Sequence, residues 1–136
     1  MKVQVIKQFS VFMPNKPGAL SRLTKLISDK NINMLGIASE VRDDSGMVRI
    51  AVDGDMDISG ILSGHGFASV ETSILSIEMA DKPGELFRAT RALADGRINI
   101  TTVYGTSLTG NTCRILVAVE NVVKAKSVLD EAAAKA

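Results

Sequence analysis

The sequence is short of the residues that build disulfides and metal clusters. Its 136 residues include one cysteine, Cys113, and one histidine, His65. A single cysteine excludes an intramolecular disulfide and a cysteine-cluster metal site, and it is typical of a reducing compartment. We therefore expect a cytoplasmic protein that uses no metal and no other cofactor.

Aromatic residues and clustered charges are also scarce. The chain has no Trp and one Tyr, and its 16 basic and 15 acidic residues leave a net charge of +1. Nucleic-acid binding requires a basic patch, and RNA recognition on a sheet usually adds stacking aromatic residues. No apolar run approaches the roughly 20 residues of a membrane span, and the first residues lack the pattern of a signal peptide. The composition predicts a protein that binds neither nucleic acid nor membranes.

What the sequence does contain is a repeat at an offset of 66 positions. The segment NKPGAL at 15–20 returns as DKPGEL at 81–86, and 10 of the 21 positions in 13–33 are identical to those in 79–99. A repeat of this closeness in a short chain indicates that one supersecondary unit was duplicated. We therefore predict two domains, residues 1–70 and residues 71–136.

Hydrophobic periodicity predicts the elements of each copy. Apolar residues alternate through Phe9, Val11 and Met13, which is typical of a strand with one buried face. An apolar stripe at helical spacing runs from Leu20 to Ile27. Two strands joined by a turn, a second helix and a further strand follow. The predicted class is α+β, with two ferredoxin-like βαββαβ units whose antiparallel sheets carry helices on one face.

Proline and glycine predict where the first helix of each copy begins and ends. Pro17 and Pro83 suit the first helical turn, because proline lacks an N–H that would have no partner there. Gly96 follows the helix of the second copy, and we expect it to be a left-handed C-cap.

The second copy lacks its last strand, since the chain ends after the final helix. Residues 1–7 align with residues 67–73 at the same offset of 66. We therefore predict that Val3 and Val5 belong to the closing strand of the second unit, so that each unit lends a strand to the other. This arrangement would leave no unpaired edge at the junction. The alternative is a frayed N-terminus and an incomplete second sheet.

The pattern of a strand, then N/D-x-P-G-x-L at a helix start, then an Asn fifteen residues after the Gly resembles the ACT domain. The resemblance covers the whole chain as two tandem copies, with some likeness to small regulatory subunits of acetolactate synthase. It implies a non-catalytic, allosteric protein that binds a small amino acid and controls a partner enzyme of amino-acid metabolism. It also implies a homodimer.

The resemblance further implies which residues contact the ligand. In ACT domains that bind amino acids, the ligand sits against the strand-to-helix loop at an interface between two modules. The matching residues are Asn15, Lys16, Pro17, Gly18, Ala19, Leu20 and Asn33 in the first copy, and Asp81, Lys82, Pro83, Gly84, Glu85, Leu86 and Asn99 in the second.

The chemistry of these residues suits an amino acid. The free N–H groups of a helix N-terminus attract a carboxylate, and an Asn side chain offers an acceptor for the ammonium and a donor for the carboxylate. In the second copy Asp81 and Glu85 would repel a carboxylate. We therefore expect the first loop to be the better site, with the second degenerate or used in the dimer contact.

A different interpretation is that the Pro-Gly loops only start the helices and that Asn33 and Asn99 only hydrogen-bond turns. The chain would then be a ligand-free regulatory subunit or assembly module that docks on a biosynthetic enzyme. Catalysis is disfavoured by the sequence, because no pairing of a nucleophile with a general base is visible.

Overall fold

The computed structural model describes residues 1–135. Its elements follow the chain in this order: β1 (Lys2–Pro14), α1 (Ala19–Asp29), β2 (Met34–Arg42), β3 (Ser45–Val52), α2 (Ile58–Gly64), β4 (Ala68–Ala80), α3 (Glu85–Asp95), β5 (Ile100–Ser107), β6 (Thr112–Val119) and α4 (Val122–Ala134). The α+β class, with two βαββαβ-like units built on antiparallel sheets, is confirmed.

The chain forms two compact units. The first unit is Lys7–Thr72, and the second unit combines Met1–Ile6 with the residues from Ser73 onward. The division falls inside β1 and inside β4, each 13 residues long, so that both strands supply residues to both units. It lies two residues after the position predicted from the repeat, and it groups the first six residues with the second copy.

The first unit has the strand order β2-β3-β1-β4. Antiparallel pairing sets Phe9 opposite Ile50 and Val11 opposite Val48. Alternation along the strands directs these side chains to one face, where they pack against Leu23 of α1 and Leu62 of α2. One face of this sheet and two helices therefore enclose the core of the first unit.

The second unit repeats this layout with the strand order β1-β4-β6-β5. Leu75 and Ile77 of β4 pack against Leu93 of α3 and Leu129 of α4. Val3 of β1 joins the same core and is 9% exposed, whereas Val5 is 47% exposed. Only one of the two valines expected on the closing strand therefore contributes to the core.

The first helix of each unit starts one residue after a left-handed glycine. Gly18 has φ 90° and Gly84 has φ 96°, and α1 and α3 begin at the next residue. Pro17 and Pro83 therefore lie in the preceding turn, and their predicted position in the first helical turn is wrong. The physical reason is that a residue with φ near +90° cannot continue a right-handed helix.

The predicted left-handed cap at Gly96 is also wrong, because its φ is −82°. The left-handed residue is the next one, Arg97, with φ 58°. The N–H of Ile98 donates to the carbonyl of Leu93, and the N–H of Arg97 donates to the carbonyl of Ala94. This pair of bonds is a Schellman motif, whose left-handed position is one residue beyond the cap.

Alanine substitutions at Val3 and Val5 test how much the first strand contributes to the second unit. We expect Val3→Ala to lower the free energy of unfolding by about 2 kcal/mol, because it removes two buried methyl groups and leaves a cavity. Val5→Ala is the matched control on the same strand and should cost much less. Urea denaturation measures both, and equal costs would contradict the packing of Val3 in this core.

Alanine at Gly18 tests the left-handed turn. No atom lies within 4 Å of the position that a Cβ would take at Gly18 or at Gly64, so neither substitution causes a clash. Gly18→Ala should destabilise the protein by about 1–2 kcal/mol through backbone strain alone. Gly64→Ala, at an exposed position within α2, should be neutral or stabilising. A neutral Gly18→Ala in thermal or urea unfolding would refute the left-handed conformation.

Candidate functional site

The loop between β1 and α1 is tied to the turn between β2 and β3. The backbone N–H of Asn15 donates to the carbonyl of Asp44 at 2.9 Å, and the side-chain Nδ2 of Asn15 donates to the carbonyl of Asp43 at 3.1 Å. These two bonds hold the tip of the hairpin beside the start of the helix. The loop and the hairpin therefore form one corner of the first unit.

A cavity of about 200 Å³ lies at this corner. The loop, the start of α1 and the adjoining ends of β2 and β3 surround it. Its lining residues are Met13, Pro14, Asn15, Lys16, Ala19, Leu20, Ser39, Glu40, Val41, Gly46, Met47 and Val48. The cavity thus has four polar groups, and its remaining wall is largely apolar. The polar groups are the amide of Asn15, the ammonium of Lys16, the hydroxyl of Ser39 and the carboxylate of Glu40.

The start of α1 is open on the side of Gly18. No side chain caps the helix N-terminus, so the N–H groups of its first turn lack the usual side-chain acceptor. A second cavity, of about 330 Å³, borders the same turn and is lined by Pro14, Lys16, Pro17, Gly18, Ala19 and Arg22. Of the seven residues predicted for the first site, all but Asn33 therefore line one or both of these two cavities.

Asn33 is the exception, because it lies at the other end of its unit. It directly precedes β2, whose first residue, Met34, pairs with Val52, whereas Arg42 at the end of β2 pairs with Ser45 beside the loop. Nine strand residues separate the two ends, about 30 Å at the usual rise. Within one unit, Asn33 and Asn15 are therefore not brought together, and they cannot hold the same ligand.

Sequence reasoning missed all six cavity residues that come from the hairpin, namely Ser39, Glu40, Val41, Gly46, Met47 and Val48. Glu40 is held by Arg49 at 2.8 Å. Gly46 leaves room at the corner, and the residue that corresponds to it in the repeat is Cys113. This exchange of glycine for a larger residue is visible in the sequence, because the second hairpin is one residue longer and 48–53 therefore aligns with 115–120 at an offset of 67 rather than 66.

The loop of the second unit has the same backbone anchor but different chemistry. The N–H of Asp81 donates to the carbonyl of Asn111 at 2.8 Å, as Asn15 does in the first unit. Glu85 occupies the position of Ala19, and its side chain lies 3.5 Å from the guanidinium of Arg88. Leu86 is exposed, and Asn99 directly precedes β5 at the end away from the loop.

The environment of the Cys113 thiol shows that this second corner is negatively charged. Burial raises the pKa of its thiol, and the carboxylates of Asp81 and Glu85 raise that pKa further. A thiolate is disfavoured here for the same reason that a bound carboxylate would be, because two negative charges are already close. The two loops therefore share a backbone conformation and differ in the charge of their side chains.

Other functional features are limited in the described part of the chain. Residues 1–135 contain no grouping of His, Cys, Asp or Glu that could hold a metal ion. Among those same residues, no helix has the length and hydropathy needed to cross a membrane. The imidazole Nδ1 of His65 lies 3.0 Å from the carbonyl of Ile61 in its own turn.

Among solved structures with the same fold, three are similar to this chain over nearly its whole length. Protein BT0572 from Bacteroides thetaiotaomicron is 26% identical, with a TM-score of 0.86 over 95% of this chain and 89% of that one. The ligand-free regulatory subunit of aspartate kinase from Thermus thermophilus is 15% identical, with a TM-score of 0.68 over 97% of both chains. Aspartate kinase from Clostridium acetobutylicum is 17% identical, with a TM-score of 0.54, and the match covers 93% of this chain but 32% of that enzyme.

No curated protein sequence matches the chain significantly. The family model described as an ACT domain pair matches residues 4–134. Because this match spans nearly the whole sequence, as the duplicated Pro-Gly loops predicted, the chain belongs to the family of ACT domain pairs.

Proposed function

We propose that this protein is a non-catalytic regulatory module that binds a small amino acid at the first loop and controls a cytoplasmic enzyme of amino-acid metabolism. The observation that carries the proposal is the cavity of about 200 Å³ at the first loop, which joins an uncapped helix start to polar groups of both signs. Its size is below the roughly 300 Å³ at which sites for drug-sized ligands begin, so it suits a small ligand.

An amino acid would use the two ends of this cavity differently. The N–H groups of the first turn of α1 and the ammonium of Lys16 favour the carboxylate. Glu40, and the side-chain oxygens of Asn15 and Ser39, provide acceptors for the α-ammonium. The apolar side chains at the base of the cavity, among them Met13 and Val48, would contact a short aliphatic side chain of the ligand.

A second copy of the chain would complete this site. β2 is an edge strand, and Ile37 and Val41 on it are 44% and 55% exposed. Apolar residues on an unpaired edge favour association with another strand. If β2 pairs antiparallel with β2 of a second copy about a two-fold axis, the start of one strand lies beside the end of the other. Asn33 of the second copy would then reach the loop that contains Asn15.

The second loop is proposed to be the weaker amino-acid site. Asp81 and Glu85 place two carboxylates where the ligand carboxylate would bind, and Cys113 occupies the position that is Gly46 in the first unit. Pairing through β2 leaves Asn99 at the start of β5, away from the first loop. The second corner retains the Gly84 turn and the exposed Leu86, which suit a contact between copies.

The partner enzyme is the less defined part of the proposal. The regulatory subunit of aspartate kinase from Thermus thermophilus has nearly the same length as this chain, since the match covers 97% of each. That likeness favours a catalytic subunit of amino-acid biosynthesis as the partner. A ligand-free subunit that only docks on such an enzyme is the second candidate function, and the open β2 edge and the exposed Leu20 favour it.

An amino-acid thermal-shift screen tests the ligand. A ligand at 100 times its dissociation constant stabilises the native state by about 2.7 kcal/mol, which raises Tm by several degrees. We expect at least one small aliphatic or polar amino acid to do so. The variant Ala19→Glu should abolish the shift, because it adds to the first cavity the carboxylate that the second loop has.

Two features make this variant informative. A glutamate in the first turn of a helix is stabilising, so Ala19→Glu should bind no ligand while keeping or raising its basal Tm. Glu85→Ala is the matched control in the second unit and should retain the shift of the wild type. No response to any of the twenty amino acids would favour the ligand-free candidate instead.

Asparagine variants test the contribution of a second copy. We expect Asn33→Ala to weaken amino-acid binding by about tenfold or more, because a hydrogen bond to a charged group contributes about 1.5–3 kcal/mol. Asn99→Ala is the matched control and should leave binding at the first loop unchanged. Calorimetric titration gives both constants, and analytical ultracentrifugation should show a dimer. A monomer that binds the amino acid with Asn33→Ala as tightly as wild type would refute the two-copy site.

A further inference from the structure

A basic groove runs along the outer side of α1 in the first unit, apart from the cavity proposed for the amino acid. Its volume is about 370 Å³. The lining residues are Arg22, Lys25, Leu26, Asp29, Lys30, His65 and Phe67. It is therefore a concave surface of small-molecule size, and neither the fold nor the proposed function accounts for its charge.

The positive charge in this groove is only partly compensated. Lys25 lies 2.7 Å from Asp29. Within residues 1–135, no carboxylate lies within salt-bridge distance of Arg22 or of Lys30. Three cations and one carboxylate leave the lining with a net charge of +2 when His65 is neutral. Cations that line a cavity without counterions attract an anion to it.

The repeat provides an internal control for this charge. In the second unit, Arg88 corresponds to Arg22 and is paired with Glu85 at 3.5 Å. The pair of Lys25 with Asp29 is repeated there as Arg91 with Asp95, also at 3.5 Å. The first unit lacks one carboxylate, since Ala19 stands where Glu85 does. Its last cation, Lys30, stands at the helix cap, whereas the second copy has Gly96 there and its cation, Arg97, one residue later. The shared fold therefore requires neither an unpaired arginine at position 22 nor a cation at position 30.

The floor of the groove holds one of these cations in place. The guanidinium carbon of Arg22 lies 4.4 Å from the centre of the Phe67 ring. Phe67 and Leu26 are buried in the core of the unit. A guanidinium stacked on a fixed ring loses less conformational freedom when it binds a ligand, and its planar donors match an oxyanion.

We propose that this groove binds a small phosphate-bearing anion, independently of the amino-acid site. The net charge of +2 matches a phosphate monoester, which carries about −1.5 to −2 at neutral pH, better than it matches a single carboxylate. Arg22 and Lys30 are eight residues apart, about 12 Å along a helix axis. An extended acidic peptide of more than about four residues would overrun that length.

The test is an NMR titration of the full chain, at constant ionic strength, with inorganic phosphate and with phenyl phosphate. Both should shift the amide signals of 22–30 and 65–67 saturably, and acetate should not. Arg22→Gln and Lys30→Gln should each weaken phosphate binding at least fivefold. Lys30 is exposed just beyond the helix, so its variant should fold normally if that of Arg22 does not.

Arg88→Gln is the matched control, because it removes the same charge from the corresponding position of the second unit. It should leave phosphate binding unchanged. The proposal is overturned if Lys30→Gln binds phosphate as tightly as wild type, or if acetate shifts the same signals equally. It is also overturned if a hexaglutamate peptide binds here and phosphate does not, since the groove would then be a surface for an acidic protein segment. The amino-acid thermal shift should be the same in Lys30→Gln, so each proposal can fail without the other.

Discussion

The left-handed turn at Gly18, repeated at Gly84, is the constraint on which the candidate site depends. Because these residues have φ near +90°, the chain leaves the end of a strand and enters a helix within four residues. No side chain caps the helix, and the hydrogen bonds of Asn15 hold the hairpin beside it. The position of the cavity and its open helix start follow from this one turn, and the adjoining hairpin adds Ser39 and Glu40 to the polar lining.

The two repeated units share this backbone and differ in the side chains around it. Both units retain the glycine turn, the anchor from the loop to the hairpin and a core of strands under two helices. The differences that bear on the candidate site are Asn15 against Asp81, Ala19 against Glu85, and Gly46 against Cys113. Each of these changes makes the first unit less negative or more open than the second. We infer that the first unit is the one suited to bind the ligand, because the second has an acidic corner.

The sequence was most informative where a pattern is local and repeated. The alternation through Phe9 and Val11 and the duplicated Pro-Gly loops predicted the elements, their order and the family. The sequence misled where a single residue had two compatible roles, since Gly96 can end a helix either as its cap or one residue beyond it. The site was only partly predictable, because Glu40 and Ser39 reach it through strand pairing. Spacing along the chain also cannot tell that Asn33 lies about 30 Å from the Asn15 loop, at the opposite end of β2.

An NMR titration with the amino acid that gives the largest thermal shift tests the central claim most directly. If the uncapped start of α1 binds the ligand carboxylate, the amide protons of Leu20 and Ser21 should move downfield and saturate together, while those of Leu86 and Phe87 at the corresponding positions stay in place. If the amides at the start of α1 do not move while the ligand binds elsewhere, the Gly18 turn is only a way of entering a helix, and the first loop is not the amino-acid site.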